Sequence, residues 1–243
     1  MKKSTWTRYF AFVFFTALCF YGGSSLIAAE EADADNDGIP DSVEVAQGYD
    51  PATPTRIIYV DCTRSDDSGD GLSEATAKRS IKAGVDAAKV ADVENVVIVA
   101  PGIYTGPDNR EINFGGYNIK LRSKRGSPET IVDLQRQGIF LYVKNHESKE
   151  NTWLDGFTIK NGQGQYNGGA VEVSNSSGLT VKNCVFSDNR VGGSGGALYA
   201  YNSNVDVFNT RFFNNHYKQN EDSGYPESGG GAIYFGSGTY NVS

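Results

Sequence analysis

Apolar and polar residues alternate in short runs through most of the second half of the chain. Leu179-Thr180-Val181-Lys182 and Val205-Asp206-Val207 each put every second residue on an apolar face, the period of a half-buried strand. Leu179, Val181, Val205 and Val207 are therefore expected inside, and Thr180, Lys182 and Asp206 outside. The first half reads differently. Ile57 to Asp61 is a short strand, followed by a Gly, Ser and Asp-rich loop over Thr63 to Ser73. Residues 76–90 carry Ile81, Gly84, Val85 and Ala88 at helical spacing, and Asn95 to Ala100 is a continuous β-branched run stopped by Pro101-Gly102. Tyr9 to Tyr21 is an almost unbroken apolar stretch, shorter than the roughly 20 residues a membrane-spanning helix needs.

The strand pattern repeats. Gly-Gly-Ala-aliphatic recurs at Gly168–Val171, Gly195–Leu198 and Gly230–Ile233, and Phe-x-x-Asn at Phe186–Asn189 and Phe212–Asn215. The segments 179–189 and 205–215 align without gaps, and 154–162 fits one period earlier. The longer last step is assigned to an insertion within Lys218–Glu227. A period of this size built from alternating strands describes an array of stacked coils, each burying its apolar face only against its neighbours. Asn183 and Asn209 fall at equivalent corners, where an amide side chain tolerates left-handed backbone and bonds the amide of the next coil. The first coil of such an array has no neighbour on one side, and the helix in 76–90 is placed to cover it. The expected fold is all-β: a right-handed parallel β-helix, or solenoid, with an N-terminal capping α-helix.

Composition narrows the setting. The 243 residues carry 29 acidic and 22 basic side chains, a net charge of −7, which excludes the basic footprint of a general nucleic-acid binder. Three cysteines are too few for a disulfide framework. Lys2, Lys3 and Arg8 ahead of the apolar stretch, and Ile27-Ala28-Ala29 after it, make residues 1–29 a signal peptide of bacterial type. The mature chain then has no membrane span, and its location is secreted or cell-surface.

Residues 33–44 carry the strongest chemical signal. Asp33, Asp35, Asp37, Asp41 and Glu44 supply carboxylates at loop positions 1, 3, 5, 9 and 12, Gly38 sits at the sharp turn of position 6, and Ile39 offers a backbone carbonyl at position 7. Calcium is a hard cation that takes six to eight oxygens, and this is the ligand spacing of a calcium loop. The other reading of so acidic a run is a solvated linker. With residues 1–29 removed no helix precedes the loop, so it is not a complete EF-hand. Together with the trailing Gly48-Tyr49-Asp50-Pro51 it resembles the calcium-binding thrombospondin type 3 repeat of bacterial surface proteins.

Two further resemblances are carried by quoted residues. The segment from Tyr59-Val60-Asp61 to Ala100-Pro101-Gly102 resembles the N-terminal part of secreted proteins of the pectin-lyase-like superfamily. The paired repeats over residues 150–243 resemble those of chlamydial polymorphic outer-membrane proteins. The first implies a parallel β-helix and a polysaccharide lyase or hydrolase; the second implies a β-helix used in adhesion. The organisation expected is a signal peptide (1–29), calcium loop and linker (30–55), strand, cap helix and first coil (56–117), and β-helix repeats (118–243) ending partway through a coil.

Candidates for carbohydrate contact follow from the strand period. Lys120, Arg122 and Lys124 alternate with Ile119, Leu121 and Ser123, which puts three cations on one outer face. That face could bind a uronate, or simply be solvated. Tyr199, Tyr201, Tyr234, Phe235 and Tyr240 form a candidate aromatic ledge for sugars or a stack within the fold. Asp133, Asp155 and Asp188 fall in successive coils without forming an aligned pair of carboxylates, so the residues single out no catalytic set. The function expected is a calcium-binding adhesion or glycan-binding module with a polysaccharide or host surface glycan as partner; the alternative is a lyase or glycoside hydrolase acting on acidic polysaccharide.

Overall fold

The computed structural model describes residues 31–175, 177–217 and 231–243. The expected signal peptide, the whole of the proposed insertion and Gly230 of the third Gly-Gly-Ala repeat lie outside the described residues.

Strands of three to six residues dominate, and every strand pairing is parallel. One seven-stranded sheet contains, in chain and spatial order, β1 (Thr55–Val60), β2 (Glu94–Val99), β3 (Ile119–Ser123), β4 (Trp153–Asp155), β5 (Gly178–Lys182), β6 (Ser203–Phe208) and β7 (Gly238–Val242). Two five-stranded sheets and one three-stranded sheet hold the strands between these. Each of the three turns from β4 to β7 lays one strand on each of the four sheets; the stretch from β1 to β2 carries a helix instead, and the two turns from β2 to β4 carry no strand of the three-stranded sheet. The fold is all-β with parallel sheets, and Ala32–Ser243 belongs to one unit.

The registers explain the sequence periods. Val181 sits beside Val207, and Phe186 beside Phe212, each 26 positions on; Val171 sits beside Leu198, 27 on, and Leu198 beside Ile233, 35 on. Leu179, Val181, Val205 and Val207 are buried, while Thr180, Lys182 and Asp206 face outward and are partly exposed. The Phe186 and Phe212 rings stack in parallel, with centroids 5.0 Å apart. The Gly-Gly-Ala turns approach one another too closely for any side chain: a Cβ on Gly169 would lie 1.7 Å from the Gly196 carbonyl oxygen. Asn183 and Asn209 adopt positive φ of 53° and 43°. Asn209 Nδ2 donates to Asn183 Oδ1 at 2.8 Å, and Asn183 Nδ2 donates to Asp155 Oδ1 at 2.8 Å.

Two helices flank the start of the sheet. α1 spans Asp41–Gln47, and α2 spans Ile81–Ala88 with Ser80 Oγ accepting from the Ala83 N–H. Ile81, Gly84, Val85 and Ala88 are buried, and α2 packs on β1 and β2. It is shorter than the periodic segment 76–90, because Glu74–Thr76 forms a separate 3-10 turn and Asp67 fixes the approach by accepting from the Arg79 and Ser80 N–H groups. A Cβ on Gly84 would meet Val60 Cγ2 at 2.3 Å, so glycine sets how near α2 comes to β1.

Candidate metal centre

The acidic loop folds through its own side chains. Asp33 Oδ2 accepts from the Gly38 N–H at 3.1 Å, Asp35 Oδ1 from the Asp37 N–H at 3.1 Å, and Asp37 Oδ1 from the Ile39 N–H at 2.7 Å. Asp41, at the start of α1, turns back so that its Oδ1 accepts from the Ala34 N–H at 2.8 Å. Gly38 takes a φ of 94°, which lets the chain reverse at loop position 6.

The consequence is convergence. Carboxylate oxygens of Asp33, Asp35 and Asp37 all lie within 4.8 Å of one another. Glu44, one turn into α1, is fully buried; its Oε1 accepts from the Thr55 hydroxyl at 2.9 Å. Asp37 Oδ2 accepts from the Thr55 N–H at 2.6 Å, so the first residue of β1 is held by two acids of the loop.

Three carboxylate oxygens in this group, Asp33 Oδ1, Asp35 Oδ2 and Glu44 Oε2, are buried without a hydrogen-bond partner. A buried carboxylate oxygen left without a donor or a cation is costly, so the arrangement calls for a positive partner. Burial, followed by the Asp37, Asp35 and Asp41 carboxylates, pushes the Glu44 carboxyl above its ordinary pKa, while the Thr55 hydroxyl opposes the shift. Asp35 is pushed upward as well, by burial first and then by Asp37 and Asp33, against the Asp37 N–H. The donor set is all oxygen, which suits a hard divalent cation and no thiolate-preferring metal. The residues fit calcium: Asp33, Asp35 and Glu44 have oxygens free to hold it. Asp37 and Asp41 also brace the loop, each through oxygens that accept main-chain N–H groups, and Ile39 contributes its N–H to that bracing.

The acidic loop 63–73 behaves differently. Asp66 and Asp70 each accept from nearby hydroxyl and loop N–H groups, which lower their carboxyl pKa values. It is a hydrogen-bonded turn.

Lys120, Arg122 and Lys124 do share the outward side of β3, but each is engaged within the molecule. Lys120 is buried and pairs with Glu94; its Nζ donates to the Gly48 carbonyl at 2.7 Å and lies 4.2 Å from the centre of the Trp153 ring. Burial, then Lys182 and Arg122, press its pKa downward, and the Asp50 carboxylate opposes them. Arg122 donates to the Gln47 carbonyl at 3.2 Å and to Tyr49 Oη at 3.1 Å, and faces Asp155 at 3.5 Å. Lys124 pairs with Glu74. Residues 47–49 lie over Lys120 and Arg122, while Lys124 stays exposed beside Glu74.

Sequence reasoning did not pick out Thr55, Tyr49, Glu94, Trp153 or Lys182 as parts of this region. One signal was present: Leu154 must face inward, so Trp153 faces outward, and a tryptophan on an outer strand face asks for a cover.

The tyrosines form a ladder. Tyr199 and Tyr234 stack 5.1 Å apart and nearly parallel, so their ring faces are turned to each other, and Phe235 stacks on Tyr240 at 4.3 Å. Asp133 and Asp155 serve as anchors, the first for Asn161 and Lys160, the second for Asn183, Arg122 and Lys182. Cys62 and Cys184 are unpaired, and burial pushes the Cys184 thiol up to about 12.

Among the described residues no helix is long and apolar enough to cross a membrane. No family model, no curated protein and no solved structure matches the chain.

Proposed function

We propose that the chain is a secreted or cell-surface right-handed parallel β-helix protein that binds calcium through its N-terminal loop and acts as an adhesion or glycan-binding module. The observation that carries the calcium reading is the set of three buried carboxylate oxygens without a partner, on acids brought together by the loop and α1. The bound ion supplies positive charge where the fold has concentrated negative charge. The β-helix reading draws support from the exclusively parallel pairings and from strands that return in the same order each turn. The resemblances to thrombospondin type 3 repeats and chlamydial repeats support export and surface binding.

The test is calcium titration of thermal unfolding on the full chain, beside Asp35→Ala. Calcium at a hundredfold its Kd is expected to stabilise the protein by about 2.7 kcal/mol, and Asp35→Ala to remove most of that gain. An unchanged unfolding midpoint with calcium would overturn the metal reading. New unsaturated uronate or reducing ends, on incubation with pectate or alginate, would replace the binding reading with the enzymatic one.

A further inference from the structure

The cover over β3 has the chemistry of an internal ligand. Lys120 and Lys182 lie over Trp153, with Lys182 Nζ 3.5 Å from the ring centre, and Arg122, on the same strand as Lys120, lies over the Tyr49 ring and faces Asp155. Glu94 and Asp155 are the carboxylates paired with them, two negative charges for three positive ones. The remaining oxygens come from Gln47 and Gly48, whose carbonyls lie at the C-terminal end of α1, where helix carbonyls lack partners within the helix. Tyr49 completes the cover, buried against Arg122 and Lys120. A carboxylate offers a full charge where the carbonyls offer a dipole, and charge-assisted bonds of that kind are about twice as strong. A flat indole edged by cations suits a sugar ring that bears a carboxylate.

The same cover is tied to the acidic loop by a single turn of helix. The Tyr49 N–H donates to the Glu44 carbonyl and the Gly48 N–H is shared between the Glu44 and Val45 carbonyls, so the residue whose side chain faces the metal loop also fixes the main chain that lies on Trp153. Thr55, held by Asp37 and Glu44, fixes the other end of the segment. An ion that draws the acids together keeps α1 in place. Without it, like charges within 4.8 Å repel, and α1 is the element that can move to relieve them.

We propose that Lys120, Arg122, Lys182 and Trp153 form a binding site for an acidic oligosaccharide, occupied in this structure by the main chain of Gln47 and Gly48, and that calcium in the 33–44 loop holds the site shut. This rests on the calcium reading. Release of calcium lifts the cover, and the sugar carboxylates replace the two carbonyl oxygens.

The test is calorimetric titration of the full chain with trigalacturonate, in calcium and in EGTA, with hydrogen exchange of residues 33–50 followed alongside. Binding is expected to be at least about tenfold tighter in EGTA. Tyr49→Ser, which loosens the cover and leaves the acids untouched, is expected to bind in calcium too. Lys182→Gln, on the rim of the site, should weaken binding in EGTA about tenfold. If calcium fails to protect residues 33–44 from exchange, the metal reading falls and the switch with it. If calcium protects them while neither the wild type in EGTA nor Tyr49→Ser binds trigalacturonate, the switch alone is overturned. Equal binding of triglutamate would overturn the assignment to a sugar.

Discussion

The stacked turns and the acidic loop handle buried polar atoms in opposite ways. In the turns the corner asparagines find their complements one turn away, and of the buried polar side chains there Ser203 alone keeps a hydroxyl without a partner among the described residues. Asn189 Oδ1 accepts from the Gly162 N–H, its Nδ2 donates to the Ile159 carbonyl, and its own N–H donates to Asn215 Oδ1. In the loop, acids lie beside acids, and three buried oxygens go without. The difference teaches where to look for a ligand. A polar residue satisfied by its own repeat is part of the scaffold, and a cluster that the fold leaves incomplete points outward to something the chain does not supply.

The largest expected effect breaks the comparison on the side of the turns. Phe186→Ala removes a fully buried ring stacked on Phe212 and is expected to cost about 3–5 kcal/mol in urea unfolding. The loss should be the same with and without calcium. A loss that calcium reverses would mean that the two regions are not separate in kind.

That contrast also marks how far the sequence could be read. The inward positions, the cap face of α2 and the Asn corners were legible because each follows from a local period of two, 3.6 or 26. The loop acids were legible from spacing alone. The fate of Lys120 was not. Its strand alternation places it outside, and that is where it is, yet it is buried, because Gly48, 72 residues earlier, lies across it. No period links those two segments. The docking depends on tertiary contacts among Tyr49, Trp153 and Glu94, each of which has an ordinary alternative role.

A smaller effect sharpens the scaffold side. Asn183→Ala deletes two side-chain hydrogen bonds and leaves a residue with a Cβ but no polar side chain to bond locally at φ 53°. The expected cost is about 1–2 kcal/mol, with Asn183→Gly losing less, as measured by the shift in urea midpoint.

The smallest effect separates the regions by sign. Glu44 and Asp35 have carboxyl pKa values raised in the folded protein, so protonation favours the folded loop. In EGTA, the protection of residues 33–50 from exchange should therefore rise as pH falls through the range where these acids titrate, and be lost as pH rises again. With calcium bound the direction reverses, since protons compete with the ion for the same oxygens. Asp133, held by Asn161 and Lys160, has its pKa lowered, so its contribution in the stack is lost on acidification. Equal responses in both regions would erase the distinction.

The amide ladder has a polarity. Asn209 donates to Asn183, and Asn183 donates to Asp155, which as a carboxylate can only accept. Such a row is anchored at the Asp155 end, and each asparagine in it needs nothing from the row except the acceptor already there. Whole-unit duplication is therefore a neutral edit to this architecture: a copied turn of 26 residues brings its own donor, its own left-handed corner and its own apolar layer. A shift of one residue within a turn breaks all three together. Length can change here only in steps of about one turn.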